Sequence, residues 1–217
     1  MASKEYHLQE LAIAKNRHDS RHVMPPIDAS QQRILDLGCG AGQTLIAASL
    51  APGAVAVGID VDWESLRLGR EWSDQIHFIR ARGEHLPFHG GYFDMVFSRV
   101  AIPYMHLEKA LAEMQRVLKN GGMLWATLHP FDKTRQEMQA DVARLDFKSA
   151  LYRLFVMANG LTLHLRGKQF SSPLRRGSYE SCQTRRGITL ALRAAGFINI
   201  EVRHEKFLIV TARKPAA

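Results

Sequence analysis

The 217-residue sequence predicts an α/β fold in which helices cover both sides of a doubly wound, mostly parallel β-sheet. Short apolar runs alternate with amphipathic stretches along most of the chain, as in strands joined by crossover helices. The first run, 34–37, leads directly into three glycines at every second position and then into a helical pattern. A strand, a glycine turn and a helix N-terminus can present main-chain N–H groups to a ligand. We therefore expect a single domain, 1–217, organised around residues 33–42.

The other elements follow from the hydrophobic periodicity, taken in chain order. An amphipathic helix is expected at 5–16, with Leu8, Leu11 and Ala12 on its apolar face. Residues 131–183 are too long for a plain loop and should hold one or two helices and a short alternating piece at 161–165. Strands are expected at 34–37, 54–59, 75–80, 92–98, 123–128, 197–203 and 206–212, and the other helices at 43–50, after Asp62, at 106–119 and at 184–195.

The spacing of the glycine turn narrows the choice of ligand. A phosphate loop requires Lys after its last glycine, and Gln43 follows here. A dinucleotide site requires Gly-x-Gly-x-x-Gly, whereas these glycines are Gly38, Gly40 and Gly42. Asp36 lies two residues before the first glycine, where a carboxylate would repel a pyrophosphate and suit a ligand with an ammonium group. The alternative is a structural turn that binds no ligand.

The sequence resembles a known family at this turn and at two later stretches. Asp-Leu-Gly-Cys-Gly-Ala-Gly at 36–42 resembles the first motif of class I S-adenosylmethionine-dependent methyltransferases. Residues 81–88 and 116–122 resemble Gly-Asp-Ala-Glu-x-Leu-Pro-Phe and Arg-Val-Leu-Lys-Pro-Gly-Gly of the type 11, small-molecule family. The resemblance implies S-adenosylmethionine as cofactor and a Rossmann-like sheet of seven strands, ordered 3-2-1-4-5-7-6 with strand 7 antiparallel. It also implies a helical cap at 1–30, unless that helix only packs on the domain, and a mainly helical lid insertion at 131–183.

The resemblance assigns cofactor contacts to individual residues, beginning with the glycine turn, which would hold the amino-acid end. Asp60 lies 18 positions after Gly42, close to the spacing of about 20 that places an acid at the tip of the second strand. There it can accept hydrogen bonds from both ribose hydroxyls; the alternative is a simple turn aspartate. Val61 would face the adenine, whereas Asp62 is expected to cap the next helix. The expected cofactor-binding residues are Asp36, Gly38, Cys39, Gly40, Gln43, Asp60, Val61, Arg82, Gly83, Glu84, Ser98 and Arg99.

Arg82 departs from the family pattern, which commonly has an aspartate here that contacts the adenine amino group. The guanidinium of Arg82 could stack on the adenine, Glu84 could take over the contact, or the Arg82 side chain could face water. Main-chain contacts from Arg82 and Gly83 do not depend on the side chain, so this loop stays in the expected site.

The acceptor is expected at the carboxyl ends of strands four and five, for a direct displacement at the sulfonium methyl carbon. Residues 98–101 lack the Asn/Asp-Pro-Pro-Tyr/Phe that often marks methylation of amide or nucleobase nitrogens. His129 ends strand five and is the candidate catalytic base, because an unperturbed His titrates near pH ~6.5. The alternative is a His that only orders the strand end. Tyr104, Arg175 and Arg176 are the expected acceptor-binding residues, which would orient an anionic small molecule.

The net charge of +8 is concentrated in one part of the chain. Residues 131–217 hold 16 basic and 7 acidic side chains, a net charge of +9, and residues 1–130 carry −1. This excess is either a solvated surface or a site for an anionic partner. It keeps an RNA methyltransferase open as an alternative. The basic stretch 166–186 has only Phe170 and Tyr179 as aromatics, however, so a nucleic acid is not the expected partner. A further alternative is a catalytically inactive, cofactor-binding partner subunit.

Other partners are not expected from the composition. No apolar run reaches the roughly 18 residues of a membrane span, and the first residues form no signal region. Cys39 and Cys182 form no disulfide framework or zinc motif, and the histidines show no metal-ligand spacing. We therefore expect a cytoplasmic protein with no metal and no membrane partner. The sequence predicts neither the oligomeric state nor the identity of the acceptor.

Overall fold

Seven strands form one mixed sheet in this computed structural model, which describes residues 3–172 and 177–216. The strands are β1 (Arg33–Leu37), β2 (Val55–Asp60), β3 (Ile76–Arg80), β4 (Phe93–Arg99), β5 (Leu118–Leu128), β6 (Ile198–His204) and β7 (Leu208–Arg213). Their order in the sheet is β3-β2-β1-β4-β5-β7-β6. β7 pairs antiparallel with β5 and β6, and the other pairs are parallel. The predicted fold class and strand order are confirmed.

Helices cover both faces of the sheet. They are α1 (Lys4–Lys15), α2 (Gln43–Ala47), α3 (Trp63–Trp72), α4 (Leu107–Val117), α5 (Phe131–Ala143), α6 (Phe147–Arg166) and α7 (Arg185–Ala194), with a 3-10 turn at Ile102–Tyr104. α4 and α7 pack in the same core cluster as Leu35 of β1, whereas α2 and α3 pack in the cluster of Ile34. Because neighbouring residues of a strand point to opposite faces, β1 is buried on both sides. This arrangement makes the sheet doubly wound.

α1 buries a different face from the one that the sequence predicts. Leu8 is 47% exposed and Ala12 is also exposed, whereas His7, Ile13 and Ala14 are buried. The predicted face is wrong because α1 packs against α2 at the glycine turn, where polar partners are available. Both ring nitrogens of His7 lie within hydrogen-bond distance of a partner there, so its burial leaves no unpaired polar atom.

The boundary between α4 and β5 also differs from the prediction. α4 ends at Val117, and β5 begins at Leu118 rather than at residue 123. Leu118 pairs in register with Phe93 of β4, so the chain enters the sheet directly after the helix. Gly121 has the left-handed φ of 76° that suits a glycine, but it lies within β5 and does not end the helix.

α6 is longer than the sequence predicts. It continues through Gly160 to Arg166, so the alternating piece expected at 161–165 does not form a strand. A Cβ atom at residue 160 would overlap Sγ of Cys182, so this glycine permits close packing and does not break the helix. Across residues 3–172 and 177–216, no helix combines the length and the apolar content that crossing a bilayer requires.

The carboxyl ends of the parallel strands meet at one edge of the sheet. β1 ends at Leu37, β2 at Asp60, β4 at Arg99 and β5 at Leu128. Ligands of open α/β sheets bind outside this edge. The fold therefore brings residues that are distant in sequence to one place.

Candidate active site

A cavity of about 1200 Å³ lies at the carboxyl edge of the sheet. The glycine turn and the ends of β2, β4 and β5 form part of its wall, and α1, α5 and the turn between β6 and β7 form the rest. The predicted site residues that line it are Gly38, Gly40, Asp60, Val61, Arg99, Tyr104 and His129. A second cavity of about 720 Å³, along β3, is lined by none of the predicted site residues.

The glycine turn has a backbone that other residues adopt only with strain. Gly38, Gly40 and Gly42 have φ angles of 77°, 55° and 75°. A Cβ atom at residue 38 would also overlap that of Ala101, which follows β4. The turn can therefore pack against the end of β4 only because it has no side chain there.

The amides of this turn are used inside the protein. Those of Gly38 and Cys39 donate to the carbonyl of Ile59 at 2.8 Å and 2.9 Å. The amide of Gly40 donates to Oδ2 of Asp60 at 2.8 Å. A phosphate site needs such N–H groups to be free. The hydrogen bonds thus support the argument from spacing against a phosphate ligand.

Asp36 is a buried carboxyl group that is incompletely paired. It is 2% exposed, and its Oδ1 has no hydrogen-bond partner among the described residues. Burial raises the pKa of Asp36 to about 8, an effect that Arg99 opposes and Asp60 reinforces. The group is therefore mostly protonated at neutral pH. A cation bound beside it would favour the ionised form.

The end of β2 contributes two of the predicted cofactor residues to the cavity wall. Oδ2 of Asp60 accepts from the Gly40 amide, and Oδ1 accepts from the Asp62 amide at 2.9 Å. Val61 is 55% exposed and lines the cavity. Asp62 occupies the N-cap position of α3, but the predicted capping bond is absent. Its carboxylate instead accepts from Oγ of Ser65 at 2.6 Å.

The buried Asp36 does not line the cavity. Three other predicted cofactor residues are also absent from its wall. Cys39 is 5% exposed within the core, where burial raises the pKa of its thiol. Nε2 of Gln43 lies 2.7 Å from Nδ1 of His7. Ser98 is fully buried and donates to the carbonyl of Leu37 at 2.8 Å. The side chains of these residues hold the glycine turn and the strand ends together.

The loop at 82–84 also lies outside the cavity wall. The Arg82 side chain is 69% exposed and pairs with Glu84 at 3.5 Å, which matches the alternative in which it faces water. Glu84 accepts from the amide of His106 at 3.1 Å. A Cβ atom on Gly83 would lie 2.5 Å from Sδ of Met105. The loop therefore packs against the segment that leads into α4.

A chain of hydrogen bonds joins α1 to the glycine turn and to α3. His7 lies between Gln43 and Ser65, with Nε2 3.0 Å from Oγ of Ser65. Ser65 in turn donates to Asp62. Burial lowers the pKa of His7, which favours the neutral ring. A neutral ring with its proton on Nε2 accepts from Gln43 and donates to Ser65, so every member of the chain is satisfied.

Arg99, at the end of β4, is held by α1. Its guanidinium forms an ion pair with Glu10, and the two side chains are 15% and 25% exposed. Both residues line the cavity together with Tyr6. Glu10 is not among the site residues expected from the sequence. The available signal was the spacing of His7, Glu10 and Ala14, which places them on one face of the helix.

His129 lies at the end of β5, next to Lys133. Nζ of Lys133 is 3.2 Å from Nδ1 and 3.1 Å from Nε2 of the ring, and the Tyr104 ring meets it edge to face at 6.2 Å. Burial, reinforced by Lys133, lowers the pKa of His129 to about 4. Burial and the carboxylates of Glu180 and Glu137 raise the pKa of Tyr104 to about 12. Both side chains are therefore uncharged at neutral pH.

The remaining acceptor residues differ from the prediction. Arg175 and Arg176 lie outside the described residues. The cavity includes Lys133 and Gln136 of α5 and residues 204–207 between β6 and β7, which the sequence analysis missed. Because His129 precedes the first residue of α5, helical spacing does not link it to Lys133, and no local signal marks 204–207. In the described part of the chain, no three His, Cys, Asp or Glu side chains are grouped to hold a metal ion.

Comparison with known proteins identifies the central segment. Residues 35–126 match the model of the methyltransferase domain family, type 11. An uncharacterized methyltransferase of Synechocystis sp. is 35% identical over 95 residues, which cover 42% of this chain and 44% of that protein. A demethylmenaquinone methyltransferase of Thermus thermophilus is 36% identical over 110 residues, covering 48% and 50%. The chain thus spans about half the length of these relatives.

The likeness of folds extends over nearly the whole chain. A SAM-dependent methyltransferase of Thermotoga maritima superposes with a TM-score of 0.58 at 17% identity, covering 96% of this chain and 88% of that one. At this identity the superposition shows the fold alone. The strand order, the glycine turn and the family match agree with one another. Residues 35–126 thus match the type 11 methyltransferase family, whose cofactor is S-adenosylmethionine, and they lie within a class I methyltransferase fold.

Proposed function

We propose that the protein is an S-adenosylmethionine-dependent methyltransferase that transfers a methyl group to a small-molecule acceptor by direct displacement. One observation supports this most directly: a single cavity joins Asp60 and the glycine turn to Tyr104, His129 and Lys133. The resemblance assigns the end at Asp60 and the glycine turn to the cofactor, and the end at Tyr104, His129 and Lys133 offers polar groups to an acceptor. The Thermus thermophilus relative is named for a small molecule, demethylmenaquinone.

The residues at the first end fit the cofactor. S-adenosylmethionine carries an ammonium and a sulfonium group. Asp36 does not itself line the cavity, but it lies two residues before Gly38, which does, and has a buried carboxyl oxygen without a partner among the described residues. Each oxygen of Asp60 holds one main-chain donor, which leaves lone pairs for ribose hydroxyls. Gly38 and Gly40 expose main chain without a Cβ, and Val61 offers an apolar surface to adenine. When bound, the cofactor supplies an electrophilic methyl group.

The other predicted cofactor residues are proposed to act less directly. Arg99 lines the cavity and is oriented by Glu10, so it is placed to meet a carboxylate of either ligand. The remaining residues would contribute main-chain contacts or hold the turn in place; they are Cys39, Gln43, Arg82, Gly83, Glu84 and Ser98.

At the second end, the chain orients the acceptor more than it activates it. His129, with a pKa of about 4, is unprotonated at neutral pH but is a weak base. This suits an acceptor whose nucleophile is acidic or already ionised. Lys133 provides a cation beside His129, and Tyr104 keeps its proton and can donate a hydrogen bond. Since the sulfonium is a good leaving group, alignment is the main requirement.

We further propose that α1 forms a cap and that α5 and α6 form a lid within one domain, 1–217. α1 lines the cavity through Glu10, and α5 lines it through Lys133 and Gln136. Acceptor binding by Arg175 and Arg176 stays a prediction, as does the cytoplasmic location.

The charge of residues 131–217 is the observation that favours RNA as the acceptor instead. The small-molecule proposal is preferred because the basic stretch 166–186 has only two aromatic residues, Phe170 and Tyr179, on which bases could stack. A catalytically inactive partner subunit would bind the cofactor in the same cavity without turnover.

A methyl-transfer assay separates these functions. The purified protein is incubated with methyl-labelled S-adenosylmethionine and defined phenols, carboxylic acids and amines, or with single-stranded RNA. Transfer to a small molecule is expected; transfer to RNA alone would favour the RNA alternative, and cofactor binding without any transfer would favour the partner subunit. With an accepted small molecule, Lys133→Met should raise the acceptor KM more than Lys109→Met, a matched change on α4 outside the cavity.

A further inference from the structure

α6 carries a continuous apolar stripe on its exposed side. The stripe consists of Phe147, Leu151, Leu154, Leu161 and Leu165, which are 68%, 54%, 53%, 59% and 58% exposed. Exposed Ala158 completes it, so apolar residues recur at alternating intervals of four and three. With a rise of about 1.5 Å per residue, the stripe is roughly 27 Å long.

The stripe is separate from the hydrophobic core. The other side of α6 is used for packing, with Tyr152, Phe155, Val156 and Leu163 buried. α5 and α7 pack against α6. Single exposed leucines are common on protein surfaces, but a contiguous row of this length indicates a binding surface.

The turn between α5 and α6 extends the stripe with an apolar tip. Leu145 is 72% exposed and has a left-handed φ of 57°, a conformation that is unfavourable for a bulky side chain. Phe147 follows two residues later, and exposed Arg144 and Lys148 flank the pair. The carboxylate of Asp146 accepts from a main-chain amide as the N-cap of α6. Two apolar side chains between two cations therefore face the solvent.

The charges along α6 distinguish between two partners for this surface, a second copy of the chain and an anionic lipid surface. α6 has no acidic residue, and Lys148 and Arg166 are exposed at its opposite ends. If two copies paired through antiparallel α6 helices, Lys148 of one copy would lie beside Arg166 of the other. If the helices were parallel, each of these cations would lie beside the same residue of the other copy. Both arrangements oppose self-association. An anionic lipid surface, by contrast, accepts apolar side chains at the acyl boundary and cations at the headgroups.

We propose that the stripe and the Leu145–Phe147 tip dock the protein on an anionic membrane surface without spanning it. This partner departs from the expectation of no membrane partner, which rested on the absence of an apolar run long enough to span a bilayer. The face lies on the helix next to α5, whose residues line the cavity. The proposal does not depend on methyl transfer, because vesicle binding is measured without an acceptor.

Vesicle co-sedimentation tests the proposal with the full chain. We expect binding to phosphatidylcholine vesicles with about 30 mol% phosphatidylserine, and much weaker binding to pure phosphatidylcholine. Leu154→Gln/Leu161→Gln should weaken binding roughly 10- to 100-fold, since two half-exposed leucines lose their burial in the bilayer. The matched control is Leu8→Gln/Ile198→Gln, whose leucine and isoleucine are 47% and 45% exposed elsewhere. Arg144→Gln/Lys148→Gln should weaken binding to the anionic vesicles only.

Three results would overturn the proposal. One is the absence of binding to the anionic vesicles by the unmodified chain. Another is equal binding by the chain with Leu154→Gln/Leu161→Gln, whose folding is checked by thermal melting. The third is a dimer in sedimentation that this double substitution converts to a monomer, with no vesicle binding in either form.

Discussion

Asp36 makes cofactor affinity depend on pH in a way that can be calculated. Its pKa is about 8 in the ligand-free protein, because it is 2% exposed and incompletely paired. We take the ammonium group of the ligand to require the ionised form of Asp36. At about pH 7 this carboxyl group is ionised in about one molecule in ten, so its deprotonation costs about 1.4 kcal/mol, or tenfold in affinity. The dissociation constant of S-adenosylhomocysteine should therefore fall about 50-fold between about pH 6 and pH 8.

Calorimetry in buffers of different ionisation enthalpy measures this linkage. Binding at about pH 7 should release about 0.9 proton. Asp36→Asn should abolish the release and the pH dependence, whereas Asp28→Asn, a matched change at an exposed turn, should leave both unchanged. A wild-type affinity that does not vary with pH, or a pH dependence that survives in Asp36→Asn, would refute the reasoning.

The same group affects the stability of the ligand-free protein. The folded-state pKa of Asp36 lies above its unfolded value of about 3.9, so the folded state binds more protons between these values. The stabilisation is fully present below about pH 4 and is lost as the pH rises to about 8. The free energy of unfolding of Asp36→Asn should lack this decrease, which urea denaturation at several pH values measures.

Three further predictions concern other residues. Asp60→Ala should weaken S-adenosylhomocysteine binding by about 1.5–3 kcal/mol through the loss of charged hydrogen bonds. Asp62→Ala should mainly lower stability, by about 0.5–1.5 kcal/mol, because it removes the acceptor of the Ser65 hydroxyl. A larger loss of binding in Asp62→Ala than in Asp60→Ala, with an unchanged melting temperature, would contradict these roles. Gly160→Ala should destabilise the fold by about 1–3 kcal/mol, because the new methyl group overlaps Cys182; an unchanged melting temperature would contradict that contact. His129 has a folded-state pKa of about 4, below its unfolded value. Its contribution to the free energy of unfolding should be fully present above about pH 6.5 and fall by up to about 3 kcal/mol as the pH drops to about 4. His129→Phe should remove this fall in denaturation experiments, and an identical pH profile for the variant would show that another group causes it.

The sheet and its functional edge were predictable because their signals are local. The central strands β1, β2 and β4 contain short apolar runs. The glycine turn is equally local, because its positive φ angles are indicated by three residues, Gly38, Gly40 and Gly42. Asp60 could be placed by counting, because a strand–helix–strand unit has a nearly fixed length. The resemblance then supplied the strand order, which periodicity alone leaves open.

The contacts that the sequence analysis missed are long-range. Glu10 and Arg99 are 89 residues apart, and no local pattern links them. The predicted buried face of α1 is wrong because the prediction used only the spacing of apolar residues. His7 is polar, and it can be buried because its ring nitrogens have hydrogen-bond partners. The alternating piece predicted at 161–165 is part of α6, because Gly160 continues the helix through a close approach to Cys182 that is visible only in three dimensions.

Side-chain direction within the cofactor motif was equally inaccessible. Cys39 and Gln43 belong to the motif in sequence, but their side chains point into the core and toward α1. A motif indicates which main chain meets a ligand, and the packing around it decides which side chains do.

The most direct test of the account is calorimetric titration of the purified protein with S-adenosylhomocysteine, with NAD and ATP as comparison ligands. The cavity between the glycine turn and Asp60 predicts micromolar binding of S-adenosylhomocysteine and no binding of NAD or ATP, because the amides of Gly38, Cys39 and Gly40 are already used inside the protein. An absence of heat with S-adenosylhomocysteine, or tight binding of NAD, would contradict it.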